Sequence, residues 1–395
     1  MSEASDLFYD PYLAAHQANA HAIYRRLRDE APVYHNPARG IWAISRFEDV
    51  WNATLSLETL TTEGIEETQT LLPMLNFMDP PRHDRLRKLV SSAFTHRRVN
   101  EMEGRVRALA RELLDAFHDQ DTVELVSAFA EPLPGRIIAE MIGVPPERRE
   151  LFLSHTRKML STDPTKTITE AIEEPSKRIY EEFARLLDER RAKPAADLMS
   201  ALIAAEIDGE KLADEEILGF CYQLIVAGND TTTALIGNAA VLFAEHPEQR
   251  RLLVREPERI PGAIEEVLRY EPPAQALPRR TRKPLSLHGR TIPVDQRVLL
   301  VWAAANLDER EFEEPERFDV TRRGTRHLAF GHGVHFCLGA SLARMEARIA
   351  FEELLARHPD YALARPPGWI HSRWARAHGE IHLTLGPPAR AEGAR

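Results

Sequence analysis

The segment around Cys337 carries the residues best suited to chemistry. Phe330 to Ala340 reads FGHGVHFCLGA, and its three glycines let the backbone pass close to a large, flat group. The cysteine comes just before a helical pattern over 338–356, and a helix N-terminus favours a thiolate through its free N–H groups and its dipole. A thiolate held in this way is either a nucleophile or a metal ligand.

Residue types alone leave three interpretations of Cys337 open. A lone cysteine is usually a buried structural residue, although the clustered glycines and histidines around this one argue against that role. A hydrolase would use His335 or another histidine as its base, but no oxyanion or orienting partner stands at a recognisable spacing. In the third interpretation the sulfur binds a haem iron, pushes electron density onto it and favours O–O cleavage.

A second unusual run lies inside a long helical pattern over 214–245, which Asp214 could cap. The run AGNDTTT, from Ala227 to Thr233, consists of mediocre helix formers apart from its alanine. Local rules that are broken in the middle of an element often mark a functional site. The alternative is a loop between two helices, but apolar flanks and the lack of an intervening proline make it the weaker interpretation.

The other patterns predict a mainly helical chain with small β-sheets. Apolar residues at helical spacing mark helices over 101–118 and 338–356. Strand signals are fewer. They predict one hairpin whose strands are 33–34 and 41–44, with a turn over 36–40, and a second that runs from Leu285–Leu287 through His288-Gly289 to Val298–Val301.

No internal repeat or low-complexity linker divides the chain, and its prolines are scattered rather than grouped at a hinge. We therefore expect one continuous domain with a core over about 12–385. A small, polar tail, from Gly386 to Arg395, is expected to be disordered.

Composition excludes several classes of protein. A formal net charge of −10 over 395 residues argues against general nucleic-acid binding, which needs a basic surface. Two cysteines are too few for a disulfide-stapled secreted protein, and the N-terminus lacks the charged and apolar regions of a signal peptide, so we expect a cytoplasmic protein. The sequence has no run of roughly 18 apolar residues that could span a membrane.

The two unusual runs together resemble the cytochrome P450 family of haem-thiolate monooxygenases. The haem-binding loop of that family, a long signature with fixed spacing, is matched by Phe330, Gly333, His335, Cys337 and Gly339. The resemblance covers nearly the whole chain. It implies a single-domain fold shaped as a triangular prism around a long oxygen-binding helix, with haem b as cofactor and Cys337 as the fifth iron ligand.

The same resemblance implies roles for individual residues. Phe330 would pack near the sulfur, and His335 would reach a haem propionate. Gly228 would leave room for dioxygen beside the haem, Asp230 would relay protons from solvent, and Thr231 would donate a hydrogen bond to the oxygen being activated. An acid and a hydroxyl suit such timed proton delivery, for which a strong base is not required.

Haem propionates need cationic donors. His83 and Arg87, four residues apart, match the pattern that the family uses on the helix near the haem. Arg279 aligns with another propionate arginine, although the adjacent Arg280 is a competitor for that role.

A structural scaffold behind the haem is also implied. Glu266 and Arg269 are three residues apart and would share a helix face. Together with Arg317, in the sequence PERF, they match the Glu-Arg-Arg scaffold of the family. Without the resemblance, this pair would be an ordinary surface ion pair.

Electrons are expected to come from separate proteins, because no dinucleotide-binding glycine loop follows a strand. Between Arg82 and Arg98 stand six lysines and arginines but one acid, Asp84. By the resemblance this segment lies on the sulfur side of the haem, where it would steer an acidic donor such as a ferredoxin, itself reduced by a reductase. A solvated charged helix is the ordinary alternative.

The resemblance also indicates which segments line the substrate pocket. They contain apolar residues such as Leu71, Leu72, Leu75, Phe77, Met159, Leu160 and Ile168, which suit a lipophilic small molecule. Terpenoids, steroids, fatty acids and polyketides all remain open. The pocket segments are 60–77, 152–172, 274–278 and 369–373.

The reaction implied is R–H plus dioxygen, two electrons and two protons, giving R–OH and water. A peroxygenase on the same fold would carry an Arg-Pro pair in place of Asp230-Thr231. A haem sensor without enzymatic activity would need neither the acid nor the hydroxyl in the middle of the helix. A Cys-His hydrolase is a more distant alternative.

Overall fold

The protein is described from a computed structural model, which covers residues 7–11, 13–65, 74–117, 119–160, 168–324, 326–370 and 375–386. Helices dominate it, as the sequence predicts. In chain order they are α1 Ala14–Ala18, α2 Ala20–Glu30, α3 Phe47–Leu55, α4 Arg82–Ala93, α5 His96–Glu101, α6 Glu103–Asp115, α7 Pro132–Ile142, α8 Pro146–Leu160, α9 Ile168–Ala192, α10 Leu198–Ala204, α11 Asp214–Glu245, α12 Pro247–Arg255, α13 Ile260–Tyr270, α14 Trp302–Ala305 and α15 Ala340–Arg357.

The strands are short and form small sheets. They are β1 Val33–Asn36, β2 Ile41–Ile44, β3 Leu60–Thr61, β4 Thr122–Glu124, β5 Glu206–Ile207, β6 Glu210–Lys211, β7 Leu277–Thr281, β8 Leu285–Leu287, β9 Arg290–Ile292, β10 Arg297–Leu300, β11 Tyr361–Leu363, β12 Gly368–Trp369, β13 His378–Glu380 and β14 His382–Leu385.

The largest sheet has the strand order β1-β2-β10-β7-β3. Its first two strands form the predicted antiparallel hairpin, with Asn36 opposite Ile41. The second predicted hairpin is wrong in its return strand. The positive φ angles of His288 and Gly289 turn the chain within two residues, so that β8 pairs with β9. The buried strand β10 instead lies between β2 and β7.

The long helix α11 forms the centre of the molecule. It spans 32 residues and is buried on most of its surface, chiefly against α7, α9, α8 and α15. The predicted cap is wrong: Ala213 is the N-cap residue, and the side chain of Glu216 accepts its N–H at 3.0 Å. Asp214 lies in the first turn, where its carboxylate pairs with Arg191. Burial on nearly all sides explains why the sequence shows little amphipathic pattern there.

Two further predicted helices are confirmed with shifted ends. The pattern over 101–118 corresponds to α6, and that over 338–356 corresponds to α15, which begins two residues after Leu338. None of the helices within the described ranges is both long and apolar enough to cross a membrane. Most of the tail predicted to be disordered lies outside the described residues. Its first residue, Gly386, donates its N–H to the Asp360 carbonyl at 2.7 Å.

Candidate active site

Cys337 lies in a short loop that leads into α15. Its N–H donates to the carbonyl oxygen of Phe330 at 2.9 Å, which closes the loop on itself. Gly331 and Gly333 have φ angles of 68° and 69°, a backbone conformation that L side chains rarely adopt. The glycines of this segment are therefore required by the turn that presents the cysteine.

The Cys337 thiol is closely surrounded by protein, but its side chain is accessible. Burial raises the pKa of the thiol. The N–H groups of Gly339 and Ala340, which hydrogen-bond the sulfur, and the charges of Arg87 and Arg344 lower it. Burial outweighs these donors and cations, so the pKa of the thiol lies above its ordinary value; the same donors and cations would stabilise the thiolate when it binds a metal ion.

Arg87 connects α4 to the cysteine loop. Its Nη2 atom donates to the carbonyl oxygen of Phe336 at 2.8 Å. Burial lowers the pKa of Arg87, and the proximity of Cys337 raises it. The structure thus brings Arg87 to the loop that carries the sulfur.

A group of buried donors lies near this loop. Arg279 is 6% exposed, and the hydrogen bond found for its guanidinium within the described residues goes to the carbonyl of the preceding Pro278. Its neighbour Arg280 turns outward and pairs with Asp295 at 2.8 Å. Of the two arginines considered from the sequence, Arg279 is therefore the one that points inward.

His83 and His335 complete this group, with ring centroids 4.5 Å apart. The Nδ1 atom of His83 lies 2.9 Å from a carboxylate oxygen of Asp84. The Nε2 atoms of both histidines are buried and lack a hydrogen-bond partner among the described residues. Burial, together with the charges of Arg279 and His83, lowers the pKa of His335 to about 3. Buried polar atoms of this kind ordinarily have partners, so the group is suited to bind anionic oxygens.

The middle of α11 is open on one side, although most of the helix is buried. Ala227 is exposed there, and Thr231 one turn later is partly exposed. The Thr231 hydroxyl donates to the Ala227 carbonyl at 2.7 Å, a side-chain bond that tends to bend a helix. The hydroxyl of Thr231 therefore lies on the open side of α11 with its hydrogen directed to the Ala227 carbonyl, and its role as a donor to the oxygen being activated stays a prediction.

The structure gives a different reason for glycine at position 228. A Cβ atom on Gly228 would lie 2.5 Å from Cδ1 of Ile138 in α7. A Cβ atom on Gly135, in the same stretch of α7, would lie 2.8 Å from the side-chain oxygen of Asn229. These two glycines therefore allow α7 and α11 to pack closely, and Ala227 is the small residue on the open side.

Asp230 is buried beside Asn229, whose Nδ2 atom donates to its carboxylate at 3.3 Å. The same amide reaches the hydroxyl of Thr156 at 3.4 Å. Burial and then the nearby charge of Glu131 raise the pKa of Asp230 well above its ordinary value, and the Asn229 amide lowers it. Asn229, for which the sequence suggested no role, thus bonds both the Asp230 carboxylate and the Thr156 hydroxyl and holds Asp230 in place.

The scaffold pair is confirmed, but its third member is not the predicted one. Glu266 and Arg269 form a fully buried two-point ion pair at 2.7 and 2.8 Å. Arg322 approaches Glu266 to 3.2 Å. The side chain of Arg317 is exposed and pairs with Glu314, while its carbonyl accepts from Arg269. The chain reverses after 317, which brings residue 322 rather than 317 over the buried carboxylate.

The basic segment of α4 and α5 is partly neutralised by acids that come later in the chain. Arg85 pairs with Glu216 at 3.0 Å and Lys88 with Asp208 at 3.6 Å. Glu216 lies in the first turn of α11, and Asp208 lies in the turn between β5 and β6. The charge count over 82–98 therefore overstates the positive potential of this surface.

Part of the predicted substrate pocket can be located. Leu75 and Phe77 form a single 3₁₀ turn, and the N–H of Leu75 donates to the side chain of Gln223 on α11 at 2.7 Å. This bond ties the segment before α4 to the central helix. Other predicted pocket residues lie outside the described residues, or have side chains that do: Leu71, Leu72, Met159, Leu160, Ile168 and residues 371–373.

Comparison with known proteins identifies the family. The family model described as Cytochrome P450 matches residues 148–358. This chain belongs to the cytochrome P450 family. It is 36% identical to the vitamin D(3) 25-hydroxylase of Pseudonocardia autotrophica over 98% of both chains.

Solved structures of cytochromes P450 have the same fold. CYP109Q5 from Chondromyces apiculatus superposes with a TM-score of 0.89 at 37% identity, over 95% of this chain and 98% of that one. CYP109E1 from Bacillus megaterium in complex with testosterone superposes with a TM-score of 0.86 at 31% identity, over 93% and 99% of the two chains. The fold and the enzyme class predicted from the sequence, a cytochrome P450 monooxygenase, are confirmed.

Cytochromes P450 carry haem b, and the residues described above fit that group. A porphyrin of this type needs an iron ligand and donors for two carboxylates. The accessible sulfur of Cys337 can supply the first. The inward-pointing Arg279 and the unpaired nitrogens of His83 and His335 can supply the second.

Proposed function

We propose that this cytochrome P450 hydroxylates a lipophilic small molecule, using dioxygen and two electrons from separate redox proteins. The observation that carries the proposal is the accessible thiol of Cys337 at the end of its glycine-containing turn, together with an acid and a hydroxyl in the middle of the long helix. Cys337 would bind the haem iron. Arg279, His83 and His335 would hold the propionates.

When bound, haem b supplies the iron on which dioxygen is activated, and a thiolate ligand favours cleavage of the O–O bond. The protein must then deliver protons in step with the electrons. Asp230, whose pKa is raised well above its ordinary value by burial, is the residue that would hold a proton in the middle of α11. Thr231, the next residue of α11, lies on the open side of the helix, and its hydroxyl would take part in delivering the proton to the dioxygen site.

A route for replacing the proton starts at the surface. Glu131 lies close enough to Asp230 to affect its pKa, and it is ion-paired with the exposed Arg157 at 2.7 Å. Glu131 is itself buried, whereas its partner Arg157 is exposed, so this ion pair connects Asp230 to solvent and is the proposed exchange point, because general acid–base groups work through short hydrogen-bonded steps.

The substrate class is supported by the relatives. One relative hydroxylates vitamin D(3) according to its name, and a structural neighbour was solved with testosterone. Both molecules are largely apolar, testosterone as a steroid and vitamin D(3) as a ring-opened relative of one. We infer that steroid-like lipophiles are the first compounds to test, while terpenoids, fatty acids and polyketides remain alternatives within the same class.

Carbon monoxide difference spectroscopy of the reduced protein tests the role of the cysteine. The wild type should give the strongly red-shifted Soret band of a thiolate-bound haem, and Cys337→Ser should lose it. Cys221→Ala is the matched control, because Cys221 is fully buried in α11 and its replacement should leave the band unchanged. A band that persists in Cys337→Ser, or a wild type that binds no haem, would refute the assignment.

Turnover assays test the reaction. Hydroxylated product should form with NAD(P)H, a ferredoxin and its reductase, and consumption of dioxygen should depend on substrate. Fast reduction by NAD(P)H without partner proteins would contradict separate electron donors. Turnover driven more efficiently by hydrogen peroxide than by the reconstituted chain would favour a peroxygenase, and substrate-independent behaviour would favour a sensor.

A further inference from the structure

Arg344 is close to the cysteine loop without belonging to it. It lies in the second turn of α15, and its guanidinium carbon is 4.4 Å from the centroid of the Phe330 ring. At this distance a guanidinium over an aromatic face is attracted by the ring. The carbonyl of Phe330 accepts the N–H of Cys337 at 2.9 Å. The guanidinium of Arg344 therefore packs on Phe330, the residue whose carbonyl accepts the hydrogen bond from Cys337.

Arg344 is held in this position from the opposite side. Glu265 of α13 binds it at two points, with Nε–Oε1 at 2.7 Å and Nη2–Oε2 at 2.9 Å. The second oxygen of Glu265 also lies 3.1 Å from Nε2 of His327. The Nδ1 atom of His327 accepts the N–H of Ala329 at 3.2 Å, so its Nε2 atom is the donor to Glu265.

Glu265 is therefore an anion with two fixed partners. Burial raises its pKa, but the bonds from His327 and Arg344 outweigh that effect and hold the pKa at about 2. Arg344 therefore lies between Glu265 on one side and the Phe330 ring on the other, and its guanidinium faces the loop that carries Cys337. Arg344 thus places its positive charge over the ring of the residue whose carbonyl accepts the Cys337 N–H.

We propose that Arg344, oriented by Glu265, is a positioning residue that holds Phe330 against the cysteine loop and sets how strongly the Cys337 thiolate donates electrons to haem iron. The proposal rests on Cys337 being the iron ligand, as proposed above. A cation near the thiolate stabilises its negative charge and limits donation. Removing the cation should increase donation and disfavour reduction of the iron.

The test is the one-electron midpoint potential of the haem-loaded protein, measured together with its carbon monoxide spectrum. In Arg344→Gln, the equilibrium constant for reduction should fall at least threefold, which is a shift of about 28 mV at 59 mV per tenfold change. Arg348→Gln is the matched control. Arg348 lies one turn further along α15 and pairs with Glu103 and Glu352 instead, so its replacement should change the constant by less than 1.5-fold.

A second variant separates tuning from simple structural damage. Glu265→Gln leaves the cation of Arg344 without its counter-charge, so the potential should rise. Arg344→Gln should lower it. Both variants break the same ion pair, and a purely structural role would therefore move the potential in the same direction in both. Arg344→Lys keeps the charge but loses the planar two-point geometry, and it should retain more than half of the wild-type constant.

The outcomes are distinct. Shifts of opposite sign with an intact thiolate band support the proposal. Shifts of the same sign, or no shift in either variant while the thiolate band is intact, overturn it. A wild type that lacks the thiolate band refutes the role of Cys337 before any variant is compared.

Discussion

Replacing Glu346 with glutamine should stabilise the protein at neutral and alkaline pH. Glu346 lies in α15 with 1% of its surface exposed. Both of its carboxylate oxygens are buried without a hydrogen-bond partner among the described residues. Burial raises the pKa of this carboxyl from 4.5 to about 8. The folded protein therefore keeps a proton that the unfolded chain releases.

The sign and the size of the effect follow from this difference. Below pH 4.5 the carboxyl is protonated in both states and brings no penalty. As the pH rises from there, the unfolded chain ionises first, and the free energy of unfolding falls by about 1.4 kcal/mol per pH unit. The fall ends as the folded protein ionises near pH 8. Between pH 5 and pH 8, the free energy of unfolding of the wild type should therefore fall by roughly 3–4 kcal/mol relative to that of Glu346→Gln.

Urea unfolding of the haem-loaded protein at pH 5, 6, 7 and 8 measures this difference. The control is Glu353→Gln on the same helix. Burial raises the pKa of Glu353, but Arg111, Arg107 and Arg357 outweigh that effect and hold it at about 2. Its stabilising contribution is present above pH 4.5 and is lost as the pH falls through 2. Glu353→Gln should therefore be destabilised by a constant amount from pH 5 to 8. If the difference between Glu346→Gln and wild type does not grow with pH, the carboxyl is not buried as a neutral acid and the reasoning fails.

Three further predictions follow from the site. Arg322→Ala should lower the free energy of unfolding in urea by about 2–3 kcal/mol, and Arg317→Ala by less than roughly 0.5 kcal/mol; equal effects would contradict the revised scaffold. Gly228→Ala should cost about 1–3 kcal/mol, and adding Ile138→Val, which removes the contacting Cδ1 atom, should restore most of the stability; no restoration would contradict the packing role. Asp230→Asn should slow product formation about 100-fold with an unchanged carbon monoxide spectrum, and unchanged product formation would contradict proton delivery through Asp230.

The sequence was most informative where function depends on neighbours along the chain. The run from Phe330 to Ala340 is recognisable by its glycines and its cysteine, and the run from Ala227 to Thr233 by poor helix formers inside a helix. The long helix α11 was predicted with its correct ends because apolar residues flank the second run on both sides and no proline interrupts it. Local signals of this kind predicted the cysteine loop, the central helix and the general fold.

Contacts between distant segments could not be read in this way. Arg322 and Arg317 are both arginines a few residues apart, and the sequence does not tell which one reaches Glu266. The fold brings Arg322 to Glu266 and leaves Arg317 paired with Glu314 at the surface. The return strand of the second hairpin was misplaced because β10 gains more burial between β2 and β7 than beside β8. The positive charge of the segment 82–98 was overestimated because the acids that neutralise Arg85 come more than 120 residues later in the chain.

The packing of α7 on α11 connects these observations to chemistry. Gly228 and Gly135 permit a close approach of the two helices, and that approach excludes water from the neighbouring Asp230. It also places Glu131, at the start of α7, near the same carboxyl. Two acids in proximity resist ionising together, and Glu131 has Arg157 as its counter-ion. Burial and the charge of Glu131 therefore both raise the pKa of Asp230. Gly228, which the resemblance assigned to the space for dioxygen, thus also acts through helix packing, because that packing determines the surroundings of this acid.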